Sequence, residues 1–314
     1  MLTFGPVPSR RMGRSLGVNH VPPKTCSYSC VYCQVGRTDL LRTSRTSFYP
    51  VAEIVAAVKQ RLDACRREGE PVDYVTFVPD GEPTLDAGLG AEIRAVRALG
   101  VKVAVITNGS LLGSSEIRDE LSAADLVSVK VDAADEETWR AVNRPHGALD
   151  FQAVLRGIEA FSAEYAGELL TETMLVAGRN DSPEQLEALA ELVGSLEPSR
   201  ACLATPMRPP AESDVRPPDQ PTLLRAWVAF RARVDEVELL ASEPEGEFAG
   251  SGAPVDELLS ILAVHPMRES AVRRFFSERE VDPATIEQLL DADRVVRIVQ
   301  EGQAYICQPV RRGS

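Results

Sequence analysis

Between Asp73 and Met207, short β-branched runs alternate with amphipathic stretches, and this alternation narrows the fold more than any other feature. The strand candidates are "DYVTFV", "VKVAVIT", "DLVSVKVD", "LLTETMLV" and "ACLATP", and "SLGVN" near the start adds a sixth. Between them, "VAEIVAAVKQRLDACRREG", "GAEIRAVRALG", "FQAVLRGIEAFSAEYAG" and "SPEQLEALAELVGSLEP" space their apolar residues as helices do. Ser182 with Glu184 and Gln185 resembles a helix N-cap. A strand followed by a helical crossover, repeated, is the pattern of a parallel sheet. We therefore expect an α/β fold, a partial (β/α)6 TIM-like barrel whose chemistry sits where strands end and loops begin.

After "ACLATP", the segment "MRPPAESDVRPPDQP" is too rich in proline for a helix or an inner strand and reads as a long loop over the barrel mouth. A helix over "TLLRAWVAFRARVDEV" follows it. In "SEPEGEFAGSGAP", glycine, serine, proline and acids replace apolar periodicity. Residues 1–242 are thus expected to form the large domain, 243–254 a linker and 255–314 a small second domain. That domain reads as three helices, "VDELLSILAVH", "RESAVRRFFSE" and "PATIEQLLDA", then strands "RVVRIVQ" and "QAYICQPV" joined at "EGQ". The order is winged-helix-like. Its third helix brings Glu287, Asp291 and Asp293, which argues against operator DNA and for a docking or structural role, with RNA contact left open.

With 44% hydrophobic and 26% charged residues, the 314-residue chain has enough apolar material for a large core. No apolar run approaches a membrane span, and the start lacks the hydrophobic stretch of a secretory signal, so the chain reads as cytoplasmic. A net charge of −13 repels polyanions, and any nucleic-acid partner needs a local basic patch. Ser9, Arg10, Arg11 and Arg14 offer one; an ordinary solvated basic turn reads equally well.

Three of the six cysteines lie in "PPKTCSYSCVYCQVGRT", as Cys26, Cys30 and Cys33. In a reducing compartment, clustered cysteines point to metal rather than disulfides. The spacing C-x-x-x-C-x-x-C brings three thiolates into one loop. Around a four-iron cube, three protein ligands leave one iron open for a small molecule. Structural zinc, completed by His20, is the alternative.

This spacing, with Tyr32 before the third cysteine, resembles the radical S-adenosylmethionine (SAM) enzymes. The resemblance implies a [4Fe-4S] cluster whose open iron chelates SAM, and reductive cleavage of SAM to a 5′-deoxyadenosyl radical. A low-potential electron donor of the flavodoxin or ferredoxin type is implied as partner. "PDGEPTL", with Gly81, Glu82 and Pro83, is similar to the family's motif for the SAM amino group. "TNGSLL", with Thr107 and Asn108, resembles its ribose-facing turn. In "SVKVDA", a period of two puts Ser128, Lys130 and Asp132 on one face, which must point into the barrel, since a polar face cannot point at the helices. A buried Lys130–Asp132 pair with a structural role is the alternative. Arg144 in "WRAVNRPHG" resembles a family arginine near the SAM carboxylate or ribose, and Glu172 and Met174 share a face that lines either the cavity or an ordinary interior.

Within that superfamily, "GPVPSRR", "LVAGRND" and "TPMRPPAE" look most like the group around the wyosine-synthesising tRNA enzymes. Those carry upstream cysteines for a second cluster, and no cysteine precedes Cys26 here. Lys24 and Lys130, two of only four lysines, are candidates for holding a carbonyl substrate. The substrate is a tRNA base, a protein or a small molecule. A glycyl-radical-enzyme activase is the second reading, suited to the acidic surface, and a non-catalytic iron–sulfur or zinc module the third. Cys202 is either a hydrogen donor to a radical or simple packing.

Overall fold

The computed structural model describes residues 2–206, 210–240, 254–262, 267–300, 302–307 and 309. Strands β1 (Thr3–Ser9) and β2 (Gly13–Val18) form a hairpin, and the long loop after β2 holds a short ladder of β3 (Thr25–Cys26) and β4 (Leu40–Leu41). Helix α1 (Val51–Glu68) leads to β5 (Tyr74–Phe77), α2 (Leu89–Arg97) to β6 (Lys102–Thr107), and α3 (Ser115–Leu121) to β7 (Leu126–Lys130). Next, α4 (Glu136–Asn143) and α5 (Phe151–Glu164) precede β8 (Glu168–Met174), α6 (Pro183–Ser195) precedes β9 (Arg200–Ala204), and α7 (Gln220–Arg231) precedes β10 (Val237–Leu240).

The main sheet runs β1-β2-β5-β6-β7-β8-β9-β10. Only the β1·β2 pair is antiparallel; every other neighbour is parallel. Because strand order follows chain order, right-handed crossovers all step the same way and stack the helices on one face. Val75, Phe77, Val103, Val105, Val127 and Val129 meet Ile54, Val58, Ile93 and Phe161 there in one core. The six expected parallel strands are present, and β10 is a seventh that went unread beyond the expected helix, which was drawn as far as Val237. That helix ends at Arg231, and the four residues of β10 are too few to show a period of their own. The prolines of β1 are tolerated because it is an edge strand.

The opposite face is covered at its lower end by the β1–β2 turn. Met12 packs with Ala104, Leu126 and Leu170, and Ser15 Oγ meets Thr76 Oγ1 at 2.6 Å. The basic segment is therefore partly drawn into the fold. Arg11 points inward and pairs with Glu172, while Arg14 reaches Glu70 at 2.8 Å.

A separate group of elements follows: α8 (Pro254–Leu262), β11 (Met267–Arg268), α9 (Glu269–Glu278), α10 (Thr285–Asp291), β12 (Val296–Gln300) and β13 (Gln303–Cys307). Its antiparallel sheet has the order β11-β13-β12, and Leu258, Val272, Phe276, Ile286 and Ile306 fill its own core. The ring of Tyr305 meets Trp227 of α7 edge-on at 6.3 Å, so this group packs on the last helix of the large sheet. The short β11 went unread in the sequence. Residues 243–253 of the expected linker, the first residues of the proline-rich loop and His265 lie outside the described residues.

Glu92 on α2 is fully buried, and neither carboxylate oxygen has a hydrogen-bond partner among the described residues. Burial, and secondarily the charge of Asp86, push its carboxyl up to about 8. The folded protein then holds a proton that the unfolded chain releases near pH 4.5, so stability falls as pH rises from there to about 8. Glu92→Gln is expected to remove that slope and to raise Tm more at pH 8 than at pH 5. Thermal melts across this range check it, and an unchanged slope would clear Glu92 of the effect.

Candidate functional site

Parallel strands end on one edge, and four of the places singled out in the sequence follow a strand there. The cysteine loop follows β2, "PDGEPTL" follows β5, "TNGSLL" follows β6, and Asp132 lies just past β7. The cysteine loop contains almost no regular structure, so its backbone groups are satisfied by neighbours. Glu82 N donates to Thr25 O at 3.1 Å, His146 N to Ser27 O at 2.9 Å, Val31 N to Val142 O at 2.9 Å, and Glu212 N to Val31 O at 3.1 Å. At Gly81 the two loops touch: a methyl there would run into the carbonyl oxygen of Thr25. Tyr28 is wedged against Trp139, whose Nε1 donates to the phenol oxygen at 3.1 Å.

Cys26, Cys30 and Cys33 are free and partly exposed. Nitrogen donors already face two of the sulfurs. Tyr28 N lies 3.4 Å and Asn108 Nδ2 3.5 Å from Cys26 Sγ, and Asn143 Nδ2 lies 3.5 Å from Cys30 Sγ. Burial pushes both thiols up, that of Cys30 to about 12, so metal binding here must displace protons. Among the described residues no three His, Cys, Asp or Glu side chains converge on a single ion. A tetrahedral zinc, with Zn–S of ~2.3 Å, requires such convergence. A four-iron cube spreads its thiolates farther apart, and three soft donors, two of them faced by N–H groups, fit it. His20 is no fourth ligand: it is fully buried, its Nε2 lies 3.3 Å from Pro83 O, its ring meets Phe77 edge-on at 5.0 Å, and burial holds it down at about 4.

Glu82 is fully buried and turned inward. It accepts from Thr84 N (3.1 Å), Thr84 Oγ1 (2.7 Å), Thr107 Oγ1 (2.6 Å) and Asn108 N (2.8 Å), locking the loop after β5 to the end of β6. The sequence reading left that carboxylate free for an ammonium and Thr107 free for a ribose. Asn108 reaches the cysteine loop, with Nδ2 2.8 Å from Ser27 Oγ. Pro83 starts a short 3-10 turn.

Asp132 is a hub. It accepts from Tyr32 OH, from Asn143 Nδ2 at 2.6 Å and from Met174 N at 2.8 Å, joining the cysteine loop, the end of α4 and β8. Lys130 does not pair with Asp132, as one reading had it; its ammonium binds Glu172 and lies over the Tyr32 ring, 5.5 Å from the centroid. Burial lowers the Lys130 pKa. Glu172 thus sits between Lys130 and Arg11. Ser128 lies on the same face, its Oγ buried without a partner among the described residues.

Two other expected site residues have partners of their own. Arg144, at the left-handed C-cap of α4, pairs with Glu212, which also takes Arg37 through two bonds of 2.9 Å. The two guanidiniums hold the Glu212 carboxyl down at about 2. Lys24 turns outward, 3.9 Å from Asp39 and partly exposed, and no described contact joins it to Lys130. Cys202 is buried on β9 near Arg11. The sequence reading missed Asn143, Glu212 and Asn180, whose Nδ2 bridges Asp132 O and Met174 O at 2.9 Å. All three lie inside segments already quoted, Asn143 at a helix end and Asn180 and Glu212 in loops.

Asp132→Ala strands three buried donors and is expected to cost ~2–4 kcal/mol and to lower iron retention after reconstitution. Gly81→Ala forces the two loops apart and is expected to lower iron retention with a smaller loss of Tm. Iron quantification with thermal melts checks both; full retention by either would remove that contact from the loop's support.

Residues 21–193 match the radical SAM superfamily. A UPF0026 protein of Methanocaldococcus jannaschii is 36% identical over 312 residues, covering 99% of this chain and 97% of the relative. More distant is the dual-specificity RNA methyltransferase RlmN of Sorangium cellulosum, 29% identical over 207 residues, with 62% of this chain and 50% of the relative covered. Among solved structures, a radical SAM methyltransferase from Sphaerobacter thermophilus superposes with a TM-score of 0.55 at 20% identity, covering 72% of this chain and 66% of the other, a likeness of fold. These matches leave the non-catalytic module without support. The chain belongs to the radical SAM superfamily of enzymes, whose cofactors are a [4Fe-4S] cluster and S-adenosylmethionine.

Proposed function

We propose that Cys26, Cys30 and Cys33 hold the cluster with one iron left for SAM, and that the enzyme abstracts hydrogen from a base in RNA. The observation that carries the cluster placement is the free three-thiol loop, fastened to the carboxyl ends of the sheet and faced by N–H donors. When bound, the cluster and SAM supply a 5′-deoxyadenosyl radical. This chain's residues do the rest. Asp132 fixes Tyr32 beside Cys33, Asn108 and Asn143 orient the sulfurs, and Glu82 and Thr107 stiffen the strand-end loops that would receive SAM. Lys130, shielded and held by Glu172, shares the inner face with Arg11, and Ser128 lies beside it; Lys24 has no part in the site.

In this reading the sheet curls as a partial barrel of β2 and β5–β10. Residues 243–254 link it to a winged-helix-like domain over 255–314 in a cytoplasmic protein. An RNA base is supported by the segments that look like the wyosine group and by the RNA methyltransferase relative. A protein substrate is the second reading, favoured by the net charge of −13, which opposes a polyanion.

The test is anaerobic: reconstitute iron and sulfide, reduce, and quantify 5′-deoxyadenosine with and without bulk tRNA. A several-fold rise with tRNA is expected, and Cys30→Ala is expected to release none. Cleavage indifferent to tRNA would turn the search to proteins or small molecules, and product from Cys30→Ala would overturn the cluster ligands.

A further inference from the structure

The three thiols are not held equally. Cys26 lies in the β3–β4 ladder, Arg42 N donates to its carbonyl at 2.9 Å, and two nitrogen donors face its sulfur. Cys30 is flanked by Ser29 N and Val31 N, which donate to Asn143 O at 3.1 Å and Val142 O at 2.9 Å, and Asn143 Nδ2 faces its sulfur. Cys33 has weaker support. Its N–H donates to Cys30 O at 3.1 Å and its carbonyl accepts from Gly36 N at 3.2 Å, bonds that stay within the turn, and among the described residues no donor faces its sulfur. Tyr32 is fixed just before it by Asp132. After Cys33, the first hydrogen bond that leaves the cysteine loop is made by Arg37; Thr38 and Asp39 bond back to Ser29, Tyr28 and Lys24.

Arg37 Nε and Nη2 donate to Oε1 and Oε2 of Glu212, each at 2.9 Å, a planar fork on a carboxylate. Exposed ion pairs are commonly weak. Here the guanidinium is 71% exposed but the carboxylate only 12%, and Glu212 is itself fixed. Its N–H donates to Val31 O at 3.1 Å and its carbonyl accepts from Val215 N at 3.2 Å, while Val215 packs among Val31, Tyr32, Val142 and Met174. The same carboxylate takes Arg144, the C-cap of α4, next to the Asn143 that faces Cys30. One side chain thus ties the turn after Cys33 to the helix end that supports Cys30.

Given the cluster placement proposed above, we propose that Glu212 is a positioning residue for the cluster: through Arg37 it sets where Cys33 presents its sulfur, and through Arg144 it steadies Asn143 against Cys30. With three protein ligands to hold four irons, a third that wanders loosens the whole group. Outer partners that orient ligands govern retention for this reason. A strut that merely fastened the proline-rich segment would, when removed, loosen all three thiols alike.

The test starts on the apo-protein, with iodoacetamide alkylation followed cysteine by cysteine by peptide mass spectrometry. In Glu212→Ala and Arg37→Ala, Cys33 is expected to react several-fold faster while Cys26 keeps its rate. The two substitutions change the local charge in opposite senses, so a rise in both reports freedom of the turn rather than its electric field. Arg144→Ala is expected to free Cys30 and spare Cys33, and Glu212→Gln to fall between Glu212→Ala and wild type. After anaerobic reconstitution, Glu212→Ala is expected to lose iron to a chelator ~10-fold faster and to show an altered EPR signal when reduced. Arg37 is exposed, so its variant tests the arm to Cys33 even where loss of Glu212 impairs folding. Unaltered Cys33 rates in both alanine variants, or equal acceleration of all three cysteines, would overturn the proposal alone. Wild-type protein that takes up no iron would overturn the cluster placement and this proposal with it.

Discussion

The structure depends on one constraint: a loop that carries three thiols has no ladder of its own and must be held by everything around it. Its amides and carbonyls are met by the loop after β5, by the end of α4 and by the segment at Glu212. Asp132 completes the hold from below, because a buried carboxylate must be hydrogen-bonded, and its donors come from three different elements. A parallel sheet with strands in chain order is what brings those donors to one edge.

Electrostatics divides the two faces of the sheet. Toward the helices, residues such as Val127 and Val129 make an apolar core; on the other face, Lys130, Glu172 and Arg11 form a buried ion set. Such ions are costly to desolvate and persist when paired. Arg11 enters from the first hairpin, so the N-terminal segment closes the floor of the site rather than decorating the surface. Burial is the main cause of the depressed basicity of Lys130, with Arg11 adding to it, and of the raised thiol of Cys30, with Asp132 adding to it.

Much of the fold was legible because its signals are local. Alternation placed β5 to β9, apolar spacing placed the crossover helices, and the cysteine spacing placed the loop. The rest was illegible for physical reasons. β10 and β11 are too short to carry a period. That Arg144 pairs with Glu212 and Glu82 with Thr107 was not readable, because each partner lies far along the chain. Lys130 was offered Asp132 by strand parity, but β8 pairs in register beside it and brings Glu172 opposite Lys130.

The sequence by itself determined the donor chemistry: three thiols in one loop, a strand whose polar residues share a face, and the glycine that lets two loops touch. These are properties of spacing and residue type, fixed before any long-range contact forms. Only the tertiary structure decided which charges remain free. Glu212 meets Arg37 and Arg144, Arg11 meets Glu172, and Leu41 comes to lie beside Cys26, through contacts between segments that no local period records.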